Sequence, residues 1–188
     1  PIRVDKTWED QGYEKLDGFA WFRLKIILPS SLKENAYLKD GLRIFLGKIN
    51  NFDQSFLNGS IFGINGKPVP ADAAIDNQYT KADTQLWNHE RCYILPIDDP
   101  RILWDRENVI AVRVFDEGGL GGLFTGDANV RMITFPDYLV FDNLSRPFFF
   151  KAGQTGKNFS LTNTSPVRQL RGTLTISANN KSTGKEVY

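Results

Sequence analysis

His89 and Cys92 are the single histidine and single cysteine of the chain, and they stand three residues apart. A thiol activated by an imidazole is a nucleophile for acyl transfer. On an extended segment, however, an odd offset sends the two side chains to opposite faces. A small buried hydrophobe beside a loop histidine is the plainer reading. A serine triad would also have to use His89, and no Gly-x-Ser-x-Gly elbow is present. Gly118-Gly-Leu-Gly-Gly122 invites a phosphate loop, but Phe124 stands where that pattern needs glycine and no Lys-Ser/Thr follows. Asp98 and Asp99, and Asp116 and Glu117, are adjacent acids of the kind that paired-carboxylate chemistry uses. Neither pair is expected in a context that raises a pKa. Loop carboxylates could hold a structural calcium ion, but no Asp-x-Asp-x-Asp-Gly loop supports one, and no cofactor is expected.

The remaining chemistry-bearing residues are aromatic. Trp21 lies between Ala20 and Phe22 and two residues before Arg23, on the polar side of an alternating run. An exposed ring beside hydrogen-bonding groups can stack on the C–H face of a sugar. The bland alternative is a tryptophan covered by a loop, a second sheet or an adjoining domain, since tryptophan is usually well buried. Trp87 is the other candidate ring, with arginine, aspartate and asparagine partners around it. The five sequons at Asn58, Asn143, Asn158, Asn163 and Asn180 matter only in a eukaryotic secretory setting.

Positioning these residues falls to strands. Ala20, Phe22, Leu24, Ile26 and Leu28 share one face, with Trp21, Arg23 and Lys25 opposite, which predicts a strand packed on one side. Leu42, Ile44 and Leu46 repeat the pattern up to Gly47. Phe52 to Leu57, Asn58-Gly59 and Ile61-Phe62 predict a hairpin, because both turn positions want positive φ. Residues 65–85 read as a long polar loop. Tyr93 to Leu95, Val109 to Phe115 and Met132 to Phe135 are further strands. Helical periodicity is nearly absent; Asp98 to Asp105 has room for one turn. Phe22, Phe56 and Phe115 are expected in the core.

The chain has 188 residues, 41% apolar and 24% charged, with a net charge of 23 − 22 = +1. This balance excludes a strongly basic nucleic-acid binder. No stretch approaches the ~18 apolar residues of a membrane span. Composition shifts near residue 137. The expected organisation is all-β: a jelly-roll β-sandwich over 1–138, then part of an immunoglobulin-like β-sandwich over 139–188. Phe148 to Phe150, Phe159 to Leu161 and Leu170 to Ile176 would be strands of the second. An immunoglobulin-like sandwich needs ~7 strands and ~100 residues, so 139–188 reads as truncated. Its open edge could promote self-association.

An ordered series of motifs carries a family resemblance. It comprises Trp8-Glu-Asp-Gln-Gly12, Asp17-Gly-Phe-Ala-Trp-Phe-Arg23, Leu46-Gly-Lys-Ile-Asn-Asn-Phe-Asp53, Phe56-Leu-Asn-Gly59 with Gly63, Arg91-Cys-Tyr-Ile-Leu-Pro96, and Asn108-Val-Ile-Ala-Val-Arg-Val-Phe-Asp116 with Gly118-Gly119. The series resembles the sugar-binding N-terminal domain of glycoside hydrolase family 2, and equally the β-domain of sialate O-acetylesterase-like carbohydrate esterases. Both are galactose-binding-domain-like jelly rolls. Residues 65–90 depart from the pattern, being longer and more polar.

The resemblance implies a non-catalytic module of a bacterial, extracytoplasmic hydrolase, which binds carbohydrate or shapes the substrate cleft. The catalytic residues of that family would lie outside this chain. The candidate carbohydrate-binding residues are Trp21, Arg23, Trp87, Arg113 and Asp116, with glycan or the parent's catalytic domain as partner. Arg23 and Arg113 are expected on non-core faces, able to pair with Asp53 or Asp116. The alternative is an interdomain scaffold with no glycan contact, which should show an apolar patch.

Overall fold

A computed structural model describes residues 2–66, 86–141, 160–165 and 169–173. The chain divides into two compact units, Pro1–Ile133 and Thr134–Tyr188. The expected loop over 65–85 and the strand at Phe148 to Phe150 lie almost wholly outside the described residues.

The first unit is an all-β jelly-roll sandwich. One sheet holds β1 (Gly18–Ile27), β6 (Glu107–Asp116), β3 (Phe52–Leu57) and β4 (Ser60–Asn65), in that spatial order. The other holds β5 (Glu90–Pro96), β2 (Gly41–Asn50) and β7 (Gly122–Thr125), with β8 (Asn129–Met132) also paired to β2. All pairings are antiparallel. The alternation seen in the sequence becomes the packing rule: Ile110, Val112 and Val114 of β6 face Leu42, Ile44 and Ile49 of β2 across the core. Fully burying such a side chain is worth about 1.5–3 kcal/mol.

Asn58-Gly59 forms the expected turn between β3 and β4, with φ of 51° and 84°. Asn58 does more than turn. Its Oδ1 accepts the Val109 N–H at 2.8 Å, and its Nδ2 donates to Asn108 Oδ1 at 2.9 Å. The hairpin is thus tied to the start of β6.

Five elements differ from expectation. β1 is the edge of its sheet among the described strands, so Leu24 is 58% exposed although its parity is inward. β2 does not stop at Gly47; a bulge between Phe45 and Gly47 carries it on to Asn50. The short helix α1 (Ser31–Asn35) and strand β7 have no counterpart in the sequence pattern. The last strand ends at Met132 instead of starting there. Thr134 and Asp137 form a capping box, and Pro136 opens a 3-10 helix over Phe135–Tyr138.

In the second unit, β9 (Leu139–Phe141) pairs antiparallel with β10 (Leu161–Asn163), and Thr164 N–H donates to the Tyr138 carbonyl at 2.8 Å. Residues 169–173 form no strand, against the expectation for Leu170 onward. The remaining strands of the expected immunoglobulin-like sandwich, and with them the self-association, fall outside the described residues.

Candidate functional site

The register of the first sheet decides which residues meet. Trp21 pairs with Arg113, and Arg113 with Gln54, so all three side chains stand on the outer face. Gln54 in turn pairs with Ile64. The neighbouring rows are Phe19, Phe115 and Phe52 on one side, and Arg23, Ala111, Phe56 and Ile61 on the other. A surface that would ordinarily be polar therefore carries an aromatic bed with two guanidinium groups set in it.

The contacts within the bed are specific. The Trp21 and Phe56 rings lie 5.6 Å apart, and the Arg23 guanidinium sits 5.0 Å from the Trp21 centroid. Arg113 lies 4.0 Å over the Phe19 ring, and its Nη1 donates to Gln54 Oε1 at 3.2 Å. Phe115 is flanked by Phe19 at 4.8 Å and Phe52 at 6.0 Å. Aromatic pairs of this kind contribute about 0.5–1.5 kcal/mol each. The Phe56 and Arg23 contacts hold Trp21 in place while leaving it 45% exposed. Arg113 is buried, and burial pulls its guanidinium below its usual pKa.

Phe56 thus departs from the expected core, whereas Phe115 is buried as expected. Phe56 is half-buried beside Trp21. Phe115 packs with Phe52 in a second buried cluster, on the outer face. Sequence reasoning missed Phe19, Gln54, Phe52 and Phe56 as neighbours of Trp21. Their spacing within β1 and β3 carried the parity; the pairing that joins them did not show.

The other candidates lie elsewhere. Asp116 shares the inward parity of Val114 and is fully buried. Its Oδ1 accepts the Gly118 N–H at 3.3 Å. Against the expectation that neither acid pair has a raised pKa, burial, reinforced by the negative charges of Glu9, Asp17 and Glu117, pushes its carboxyl up to about 6. Trp87 is exposed on a 3-10 helix over Leu86–Asn88, whose Asn88 accepts a bond from Lys48 Nζ of the second sheet at 2.6 Å. It does not join the Trp21 face.

The expected pairing of Asp53 with Arg23 or Arg113 is corrected by parity. Asp53 points inward, and Arg91 of β5 meets it between the sheets at 2.7 Å, both side chains fully buried. Arg91 also donates to the carbonyls of Asn51 at 2.9 Å and His89 at 2.5 Å. Ser55 Oγ donates to Asp53 Oδ2 at 3.2 Å. Burial pushes the Asp53 carboxyl up against the pull of Arg91, and burial and the Asp53 charge push Tyr93 up. A side chain on Gly63 would run into the Tyr93 ring. This network fastens sheet to sheet.

The glycine loop has a comparable role. Gly121 lies against the buried Trp8 indole, where a Cβ would come within 2.1 Å of the ring. Trp8 N–H donates to the Gly121 carbonyl at 3.1 Å, and Glu9 Oε2 accepts the Gly121 N–H at 3.0 Å. The loop is pressed onto the first motif of the series. His89 is exposed ahead of β5, and Cys92 is exposed on it. Among the described residues no group of three or more His, Cys, Asp or Glu could hold a metal ion, and no helix is long and apolar enough to cross a membrane.

No family model and no curated protein matches the chain. Among solved structures it is similar to Bacteroides uniformis β-glucuronidase 2, at 17% identity over 66% of this chain and 13% of that one, with a TM-score of 0.45. It is similar to the β-D-glucuronidase of Dictyoglomus thermophilum, at 12% identity over 86% of this chain and 21% of that one, with a TM-score of 0.42. A glycosyl hydrolase family 2 member from Bacteroides cellulosilyticus gives 14% identity over 65% and 15%, with a TM-score of 0.44. The chain therefore spans only a small part of the proteins it is similar to.

Proposed function

We propose that this chain is a non-catalytic, carbohydrate-contacting module of a larger extracytoplasmic hydrolase, a glycoside hydrolase or a carbohydrate esterase. The observation that carries the reading is Trp21: a tryptophan packed on Phe56, accessible to solvent, and flanked by arginine on strand β1. Such a ring offers a flat apolar surface to the C–H face of a sugar. Arg23 and Gln54 offer hydrogen bonds to its hydroxyls. The motif series points the same way.

Titration of the chain with a panel of oligosaccharides tests the reading. Binding that disappears in Trp21→Ala is expected. An absence of binding at millimolar sugar, or binding that persists in that variant, overturns it. Ile61 and Ile64 favour a second reading, a scaffold docked on a neighbouring domain, because both are exposed beside the Trp21 row. In that case no sugar binds, and Trp21→Ala instead weakens the association of the module with the rest of its enzyme.

A further inference from the structure

The three rows around Trp21 carry Arg23 and Arg113 and no carboxylate. The acid farther along the face, Glu107, is engaged by Lys25 at 3.0 Å. Among the described residues no carboxylate lies within ion-pair distance of Arg23, which sits over the Trp21 ring. Arg113 lies below, buried against the Phe19 ring and hydrogen-bonded to Gln54. Aromatic neighbours lower the local dielectric, so the field of Arg23 reaches a ligand on Trp21 with less screening than on an open polar surface.

We propose, building on the glycan reading above, that the Trp21 face selects an anionic sugar, with its ring on the indole and its charged group received by Arg23. A guanidinium presents two parallel N–H donors, which match a carboxylate or a sulfate in a forked arrangement. A neutral sugar can use the ring but not the charge. Stacking therefore supplies the general affinity, and Arg23 supplies the class.

The test uses the full chain and a short hexuronic-acid oligosaccharide, paired with the same oligosaccharide after reduction of its carboxyl groups. A sulfated neutral oligosaccharide forms a third arm. Isothermal titration at low salt should show the uronate binding about tenfold or more tighter than its reduced counterpart, in line with a charge-assisted bond. The preference should shrink between 20 mM and 500 mM salt. Arg23→Gln should abolish it, bringing the uronate and its reduced counterpart to the same affinity, and Arg23→Lys should restore only part of it. Tight binding of the sulfated sugar, lost in Arg23→Gln, also supports the anionic class and shows that charge rather than carboxylate shape is read. Equal binding of the acidic and reduced sugars overturns this proposal and leaves the glycan reading standing. So does a preference that survives Arg23→Gln. Failure of every sugar to bind overturns both.

Discussion

Arg91→Met is the sharpest probe of how the sandwich is fastened. Arg91 and Asp53 are both fully buried, and their bond is 2.7 Å long. Removing the guanidinium strips Asp53 Oδ1 of its donor and leaves the carbonyls of Asn51 and His89 without the bonds that Arg91 supplied. Breaking one partner out of a buried pair costs about 3–5 kcal/mol, because a charge stays behind with no compensation. That is a large share of the ~5–15 kcal/mol by which a domain is stable. Urea unfolding, followed by tryptophan fluorescence, should show the loss as a lower midpoint. The second substitution identifies the cause. Asp53→Asn in the Arg91→Met background removes the stranded charge while keeping a group that can bond to Ser55. It should recover about 1–2 kcal/mol, the order of the penalty for an unsatisfied buried group. A loss under about 1 kcal/mol for Arg91→Met, or no recovery in the double variant, refutes the reasoning.

Asp116 makes stability depend on pH. Its folded carboxyl titrates at about 6 against an ordinary 3.8, so the folded state binds the proton more tightly. Stability then rises as pH falls from about 6 to about 4 and is lost on the way back, by at most about 3 kcal/mol. Asp116→Asn should flatten that slope in unfolding titrations. Gly121→Ala forces a methyl group into the Trp8 ring and should cost about 1–3 kcal/mol in urea midpoint measurements. Gly119→Ala meets no neighbour but keeps a φ of 97°, so its cost should be only the backbone strain, about 1–2 kcal/mol. Trp87→Ala should leave oligosaccharide affinity within about twofold, since Trp87 stands off the Trp21 face; a tenfold loss by titration would put the site elsewhere.

Much of the motif series proves to be fold-holding chemistry. Trp8 meets the glycine loop, Asp53 meets Arg91, Asn58 meets Asn108, and Gly63 makes room for Tyr93. Each motif is short because each supplies one half of a contact whose other half lies far along the chain. Trp21 and Arg23 belong to the same series yet hold nothing between the sheets.

Alternation along β1 was enough to predict a strand with Trp21 and Arg23 opposite Phe22. The Asn58-Gly59 turn was readable as well, because positive φ is a local requirement that few residues meet. These features depend on neighbours within a few residues. Strand pairing is non-local, and a shift of one residue would exchange the faces. Only the pairing of β1, β6, β3 and β4 brings Phe56 and Gln54 beside Trp21, sends Asp53 inward to Arg91, and buries Asp116 away from solvent. Period-two patterning told the two faces of each strand apart, but which face meets the other sheet and which meets a ligand was decided by tertiary packing.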